Sequence, residues 1–376
     1  MPVAADLEAL EFVDHHCHRL QGSWTSASGD PPGWRRCFTE ATDDVTLTRH
    51  VPALLGYRRF LRAMAERLGL EPVGGHLERR VLARRDELAA ADPAGYLREL
   101  LDDAGVTALL VDTGFGGPDT LGVEDFAGIA GRPVREVVRV ESVAEKLLAA
   151  AGPATRGLDR FADALERRLV QALNGGAVAL KSVAAYRAGL ALPRPRAADA
   201  RQAFDDLDHA RQARRLADPT LVAFLLWRAA ELAAERGVPL QIHTGFGDTD
   251  LDLTLADPAL LRPLLRDPRT QGCPVVLLHC YPFVPQAAYL ASVYPQVWMD
   301  LSLAIPLAEP LAAGLVGEAL GLCPVTKLLA GTDGHSYPEM HWWGARTWRR
   351  ALAQIPDAAE AADRILAANA WELYRL

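Results

Sequence analysis

Short, nearly continuous apolar segments alternate along the chain with longer segments that carry apolar residues at every third or fourth position. The longer segments, among them 158–173, 198–216 and 219–236, are typical of amphipathic helices. The short segments predict strands of a parallel sheet covered by helices. They are 12–18, 106–111, 135–140, 177–181, 239–243, 274–279, 297–300 and 327–333. Eight strands alternating with helices predict an α/β fold, a closed (β/α)8 TIM barrel.

The stretch between the first two predicted strands is unusually long. Residues 21–42 are polar and rich in glycine, which predicts a loop, and residues 45–103 return to helical spacing. Within the latter, Asp92 and Pro93 are typical of an N-cap and a first helical turn. We therefore expect one barrel domain over residues 1–376 with a helical insertion at about 20–104, which covers the site or contributes to a homo-oligomer.

An open doubly wound sheet is the alternative architecture. Such a sheet binds nucleotides through a Gly-x-Gly-x-x-Gly turn that follows a strand and opens a helix. The nearest match is Gly114-Phe115-Gly116-Gly117, but Pro118 and Asp119 follow where a helix should begin. This segment is therefore interpreted as a turn.

Composition and charge limit the classes of function. A net charge of −8 without a basic block argues against a nucleic-acid-binding protein. The first residues do not resemble a secretory leader, and no apolar run approaches the ~20 residues of a membrane span. Five cysteines without paired spacing favour a reducing compartment. We expect a cytoplasmic protein that acts on a small molecule, without nucleic-acid or membrane partners.

The first predicted strand carries two histidines that are two positions apart. Successive side chains of a strand point to opposite faces, so His16 and His18 should share one face while His15 and Cys17 occupy the other. Asp14 should lie on the face of His16, one step deeper. Two convergent imidazoles are what a divalent ion such as zinc requires of its first protein ligands.

Further ligand-type residues lie at or just beyond the ends of later predicted strands. They are Lys181, His243, His279 and Asp333. In a closed barrel these ends meet at one rim, where active sites form. Each residue alone has a structural explanation, such as a hydrogen-bonded histidine or a turn-forming aspartate. Lys181 alternates with Ala177 and Ala179 and should point into the barrel, where burial lowers the pKa of an amine.

Two metal arrangements remain open from the residues alone. A neutral Lys181 amine can add carbon dioxide, and the resulting carbamate can bridge two ions. A single ion would need His16, His18, one later histidine and Asp333, and Lys181 would then contact the substrate. In either case the metal lowers the pKa of a bound water molecule and polarises a carbonyl group. Asp333 is the natural general base towards that water and the acid towards a leaving amine.

Three residues near these strand ends are candidates for substrate binding. Tyr186 and Arg187 follow Lys181, and a guanidinium group can bind a substrate carboxylate through two hydrogen bonds. His335 follows Asp333 and is expected in the pocket wall. Ordinary surface exposure is the alternative for each of them.

The order of these residues resembles that of the amidohydrolase superfamily of metal-dependent barrels. Residues 180–190 (LKSVAAYRAGL) and 331–339 (GTDGHSYPE) are similar to the branch that includes the domain fused to glutamine synthetase-like proteins. The resemblance implies that His16, His18 and Asp333 hold one metal, that His243 and His279 hold a second, and that carboxylated Lys181 bridges them. In branches with a single metal, the resemblance makes His279 a catalytic helper instead.

The function expected from the sequence is metal-dependent hydrolysis of an amide C–N bond in a small carboxylated substrate. Asp333 and His279 are the expected catalytic residues, and the cofactor is one or two divalent ions, zinc first, with manganese or iron as alternatives. A decarboxylase or lyase of a carboxylated ring could use the same site. A barrel with only a structural or regulatory role is the third possibility.

Overall fold

The computed structural model describes residues 7–150, 157–207 and 215–376. Its described strands form one eight-stranded sheet in which each strand pairs in parallel with the next along the chain. The strands are β1 (Phe12–Cys17), β2 (Val106–Asp112), β3 (Val134–Arg139), β4 (Ala179–Ser182), β5 (Leu240–His243), β6 (Val275–Leu278), β7 (Val297–Asp300) and β8 (Leu328–Leu329). The predicted (β/α)8 barrel is confirmed.

Helices connect the strands and surround the sheet. Four precede β2: α1 (Pro31–Arg36), α2 (Leu55–Arg67), α3 (Leu77–Ala91) and α4 (Pro93–Asp103). The next are α5 (Val123–Ala130), α6 (Val140–Ala149), α7 (Leu158–Asn174), α8 (Ala184–Ala188), α9 (Ala197–Asp205) and α10 (Pro219–Arg236). The last are α11 (Arg262–Arg266), α12 (Val284–Val293), α13 (Ala304–Leu307), α14 (Ala312–Leu320), α15 (Pro338–Ala353), α16 (Pro356–Ala359) and α17 (Asn369–Tyr374).

Backbone hydrogen bonds join β1 to the segment that follows β8. The amide of Asp333 donates to the carbonyl of His16 (2.9 Å), and the amide of His18 donates to the carbonyl of Gly334 (2.8 Å). β8 itself is shorter than the predicted segment 327–333, because the backbone leaves strand geometry and Asp333 adopts a positive φ of 51°. These contacts bring the first predicted ligands, His16 and His18, next to the last one, Asp333.

The barrel interior is filled by small and branched apolar side chains, as expected for a packed (β/α)8 core. They come from the strands and from the C-terminal segment: Val13, Ala108, Leu110, Val137, Ala179, Val276, Leu278, Leu329, Ala367, Ala370 and Tyr374. Ala179 belongs to this interior cluster, so alternation along β4 also directs Lys181 inward, as predicted.

The segment between β1 and β2 is mostly helical, as predicted for residues 45–103. One part of the prediction is wrong: residues 21–42 are not all loop, because α1 lies within them. Asp30 caps this helix by accepting a hydrogen bond from the Gly33 amide (3.0 Å), and prolines occupy its first turn. The N-cap predicted at Asp92 is confirmed, with its carboxylate 2.9 Å from the Gly95 amide.

A buried ion pair attaches these helices to α15. Arg85 Nε donates to Glu339 Oε1 (2.7 Å), and the Tyr96 hydroxyl donates to the same oxygen (2.7 Å). All three side chains are buried. Because the loss of one partner would leave a buried charge uncompensated, we expect this pair to hold α3 and α4 against α15.

Other helix boundaries follow the prediction closely. The exception is 198–216: α9 ends at Asp205, residues 215–216 are not helical, and residues 208–214 lie outside the described part. Residues 1–6, which the sequence analysis assessed as a possible leader, also lie outside the described part of the chain. Within the described residues, no helix has the length and hydropathy needed to cross a bilayer.

Candidate metal centre

Three side chains, from β1, from the residue directly after it and from the turn after β8, converge at one rim of the barrel. The Nε2 atoms of His16 and His18 each lie 3.1 Å from Oδ1 of Asp333. The histidines are buried, and the carboxylate side chain is only 10% exposed. The two imidazoles and the carboxylate therefore point to the same place, and their ligand atoms could bind one ion.

Irregular pairing along β1 changes one detail of the prediction. The register with β2 shifts between Asp14 and Cys17, so strict alternation fails there. His15 does not face away from the interior: its Nε2 lies 2.7 Å from Asp300, and Gln241 donates to its carbonyl. The opposite faces predicted for His15 and His16 are therefore wrong.

Asp14 was expected beside the ligand histidines, but it binds the turn that carries Asp333. Its carboxylate accepts hydrogen bonds from the Thr332 amide (2.9 Å) and the Thr332 hydroxyl (2.5 Å). It also lies 3.3 Å from His341 Nδ1. Asp14 thus fixes the position of the residue before Asp333 and contacts His341, rather than orienting one of the candidate ligand imidazoles.

Hydrogen bonds fix which ring nitrogen carries the lone pair. His18 Nδ1 lies 3.3 Å from the carbonyl of Asp112, which can only accept, so Nδ1 holds the proton and Nε2 is free to ligate. His243 Nε2 lies 3.1 Å from the carbonyl of Phe246, which leaves the lone pair on Nδ1. Both rings are thereby prepared as neutral ligands.

Burial keeps three imidazoles of the site, those of His16, His243 and His279, uncharged. It lowers the pKa of His16 to about 3, and the positive charge of Lys181 adds to this effect. It lowers the pKa of His279 to about 4 and that of His243 well below the usual range. Metal ions bind neutral imidazole, so these rings do not have to lose a proton near neutral pH.

Asp333 remains ionised beside these rings. Burial alone would raise the pKa of its carboxyl group, but the neighbouring imidazoles, His279 first and then His16 and His18, hold that pKa well below its usual range. An ionised carboxylate is both a metal ligand and a proton acceptor.

Lys181 lies between a histidine and a carboxylate. Its Nζ is 2.9 Å from His16 Nε2 and 3.0 Å from Asp112 Oδ2. Arg139 also binds Asp112, with its NH2 group 2.6 Å from the same oxygen. Burial lowers the pKa of the lysine, and Asp112 opposes that shift.

His279 reaches the site through an unusual backbone conformation. It follows β6 with a φ of 70°, and its amide donates to Asp300 Oδ1 (2.5 Å). Its Nδ1 accepts from the Leu303 amide (3.3 Å) and contacts Ser302 Oγ (2.9 Å). These partners place the ring proton on Nε2. The His279 ring centroid lies 4.5 Å from that of His243 and 5.4 Å from that of His16.

The residues present fit a divalent metal. Asp333 Oδ1 is buried and lacks a geometrically suitable hydrogen-bond partner among the described residues, although two imidazole nitrogens lie next to it. His16, His18 and Asp333 offer ligand atoms that all lie within 4.8 Å of one another. A second such group, Asp14, Cys17 and His341, uses the carboxylate that is already bonded to Thr332. His243, His279 and Lys181 line the same cavity beside the first group.

A cavity of about 190 Å³ opens over these residues, and Tyr186, Arg187 and His335 all line it. Tyr186 packs its ring 4.5 Å from the ring of His243. Arg187 pairs with Glu145 at 2.9 Å, and burial lowers the pKa of His335 to about 4. The structure thus brings all the residues predicted for the site to one place.

Other residues of this cavity were missed. They are Glu40, Phe115, Arg139, Arg215, Asp248 and, behind them, Asp112. Asp112 and Arg139 end apolar strands and could have been recognised by the same rule that identified Lys181. Glu40 lies in the long connection after β1, where no periodic pattern marked it.

Comparisons with known proteins agree with this geometry. A family model described as amidohydrolase matches residues 13–376. Protein fluG of Emericella nidulans is 29% identical over 98% of this chain, which spans 46% of that relative's length. A crystal structure from Lactobacillus casei, described as a candidate metal-dependent hydrolase, is 29% identical with a TM-score of 0.84, covering 98% of this chain and 96% of the other.

A uronate isomerase of Thermotoga maritima shares the fold. It is 15% identical with a TM-score of 0.68, and the alignment covers 99% of this chain and 97% of the isomerase. At this identity the likeness concerns architecture alone. The family match, by contrast, extends from β1 to the C-terminus and includes every residue of the candidate metal centre. The chain therefore belongs to the amidohydrolase family.

Proposed function

We propose that this protein is a metal-dependent hydrolase that cleaves an amide C–N bond in a small carboxylated substrate. The observation that carries the proposal is the buried Asp333 Oδ1, 3.1 Å from the Nε2 atoms of His16 and His18 and without a suitable hydrogen-bond donor in the described residues. A carboxylate in that position requires a cation, and two neutral imidazoles complete the ligand set.

His16, His18 and Asp333 would hold the ion, and the free Nδ1 lone pair of His243 is available as a further ligand. Nitrogen and carboxylate ligands suit zinc, and manganese or iron are alternatives. When bound, the metal acidifies a water molecule and polarises the substrate carbonyl.

Two residues of the chain handle protons. Asp333 is ionised, so it accepts the proton released by the attacking water and later returns it to the leaving amine. His279 carries its proton on Nε2 because Nδ1 accepts from the Leu303 amide. It can therefore donate a hydrogen bond to the oxygen on which negative charge develops.

The substrate carboxylate is assigned to Arg187, with Tyr186 and His335 forming the adjacent wall of the cavity. The side chain of Arg187 is only 11% exposed, and its Nε has no acceptor among the described residues. A buried donor without a partner is costly, and a substrate carboxylate would satisfy it.

The ion pair between Lys181 and Asp112 favours one metal over two. A carbamate on Lys181 would place a second anion beside Asp112, which already lies 3.0 Å from the lysine nitrogen. A single-metal site is also what the alternative activity, decarboxylation of a carboxylated ring, would use. The products separate the alternatives, because hydrolysis releases an amine and decarboxylation releases carbon dioxide.

We also propose a reducing compartment such as the cytoplasm. All five cysteines are free and buried, in keeping with thiols that pack against the core.

The test is a screen of the zinc-, manganese- or iron-loaded protein against small amides and aromatic acids, with amine and carbon dioxide release measured separately. We expect amine release, lowered by at least ~100-fold in Asp333→Asn, the usual effect of removing a positioned acid or base. Asp163→Asn, an exposed helix position, is the control. Carbon dioxide release alone, or an unimpaired Asp333→Asn variant, would contradict the proposal.

A further inference from the structure

Two carboxylates line the cavity without a cationic partner in the described part of the chain. Glu40 comes from the connection between β1 and β2, and Asp248 from the loop after β5. Asp248 accepts from the Asp250 amide (2.9 Å) but forms no described ion pair. Glu40 likewise forms no described ion pair, and both side chains are only partly exposed.

The arginines of the cavity do not supply that compensation, because each has its own acid. The pairs are Arg139 with Asp112 (2.6 Å), Arg187 with Glu145 (2.9 Å) and Arg215 with Asp250 (3.0 Å). Nor does the metal centre account for the two carboxylates, since neither described group of ligand atoms includes Glu40 or Asp248. A cation is therefore missing on this part of the wall.

Arg187 provides an independent sign of a ligand. Its NH2 group binds Glu145, but its Nε is buried and has no acceptor among the described residues. The same cavity thus contains an unsatisfied buried donor and, on other loops, two uncompensated carboxylates. A ligand with charges of both signs would satisfy all of them.

We infer that the substrate carries a free ammonium group as well as its carboxylate, with Glu40 and Asp248 binding the ammonium group and Arg187 the carboxylate. The substrate class is then an amide of an amino acid that keeps its amino group free. This inference rests on the proposed amide hydrolysis, because it names the molecule that the same cavity would receive.

The side chain of Tyr186 lines the same cavity as Glu40, Asp248 and Arg187. An added Cβ on Gly247 would lie 1.9 Å from the Tyr186 hydroxyl, so the hydroxyl packs directly against the backbone before Asp248. Burial, then Glu40 and Asp248, raise the pKa of this phenol, which keeps it neutral. A neutral hydroxyl beside two carboxylates can share a bound ammonium group with them.

The inference is tested by calorimetry on the zinc-loaded protein with matched ligands. L-aspartate and L-glutamate carry the ammonium group, while succinate and glutarate are the same molecules without it. We expect at least one amino acid to bind about tenfold more tightly than its deaminated counterpart, because of one charge-assisted contact. Glu40→Gln should reduce that ratio towards one.

Asp248→Asn is a second variant, in case Glu40→Gln is poorly folded. Asp44→Asn is the matched control, because Asp44 is an exposed acid four residues from Glu40 and should not alter the ratio. The inference is overturned if no amino acid is preferred over its deaminated form, or if both cavity variants keep the preference.

Failure of this inference and failure of the proposed function give different results. If amides without an amino group are hydrolysed as well as those with one, only the substrate class is wrong. If amino acids bind with the Glu40 dependence but no amide is cleaved, the substrate class stands and the hydrolase assignment is wrong.

Discussion

The ammonium nitrogen of Lys181 lies 3.0 Å from Oδ2 of Asp112 at the ends of two nearby strands. Arg139 binds the same oxygen, so one buried carboxylate forms ion pairs with two cations. Burial is the larger influence and lowers the pKa of Lys181 overall, while Asp112 partly opposes that shift. The contact therefore favours the charged amine, whereas the addition of carbon dioxide requires the neutral amine.

The first prediction concerns the covalent state of Lys181. In bicarbonate buffer, the native mass of the wild-type protein should not include an added carbon dioxide, and metal analysis should give about one ion per chain. Asp112→Asn removes the negative charge that stabilises the ammonium form, so the pKa of Lys181 should fall and an adduct should become detectable. A wild-type adduct together with two ions per chain would establish the bridging carbamate instead.

Asp300 connects the barrel interior to the site, which leads to the second prediction. Its Oδ2 lies 2.7 Å from His15 Nε2, and its Oδ1 accepts from the His279 amide at 2.5 Å. Burial would raise the pKa of Asp300, but the hydrogen bond from His15, together with smaller electrostatic effects of His15 and His279, lowers it to about 2. The ionised form is thus stabilised by folding.

Because the folded pKa lies below the unfolded one, this contribution to stability is complete above about pH 4 and is lost as the pH falls through about 2. Asp300→Asn should lower the free energy of unfolding by about 2 kcal/mol near neutral pH, and by about half as much near pH 3. Urea unfolding at several pH values measures this difference. A deficit that stays constant with pH would show that packing, not charge, is what the variant loses.

Sequence reasoning selected residues that the structure places together, because a barrel brings the ends of all its strands to one rim. This rule holds for Lys181 and His243, whose inward direction follows from alternation along regular strands. It fails at His15, where the register shifts, and it does not explain how His279 or Asp333 turns inward, since both do so with a positive φ. Such backbone conformations depend on contacts between distant segments.

The charged residues of the cavity show a second limit. Asp112 lies just beyond the predicted strand 106–111 and was not among the predicted site residues, because its role depends on Arg139 and Lys181 on two other strands. Glu40 gave no signal at all, since its position depends on how the connection after β1 folds over the rim. The charged lining of the cavity was therefore less predictable than the positions of the candidate metal ligands.

The third prediction concerns Arg187. Replacing it with alanine removes the guanidinium group assigned to the substrate carboxylate, so KM should rise about tenfold with little change in kcat. Arg187→Lys keeps a charge but not the planar fork, and should recover only part of the loss. Steady-state kinetics with a substrate and with its analogue lacking the carboxylate provide the test. Equal losses for both molecules would mean that Arg187 acts only through its pair with Glu145.

The fourth prediction uses the close approach of Gly247 and Tyr186. A Cβ at position 247 would lie 1.9 Å from the phenolic oxygen and 2.6 Å from the ring carbon that bears it, so Gly247→Ala must displace the ring. The ring of Tyr186 packs 4.5 Å from that of His243, and its displacement should raise KM about tenfold while the protein still binds metal.

Gly272→Ala is the matched control for this change, because its nearest neighbour would be a side-chain atom at an ordinary 3.6 Å. The double variant Gly247→Ala/Tyr186→Ala should behave like Tyr186→Ala alone, since the clash disappears with the ring. Additive losses in that double variant would instead place the effect of Gly247→Ala in the loop that carries Asp248, and Tyr186 would not be the group through which it acts.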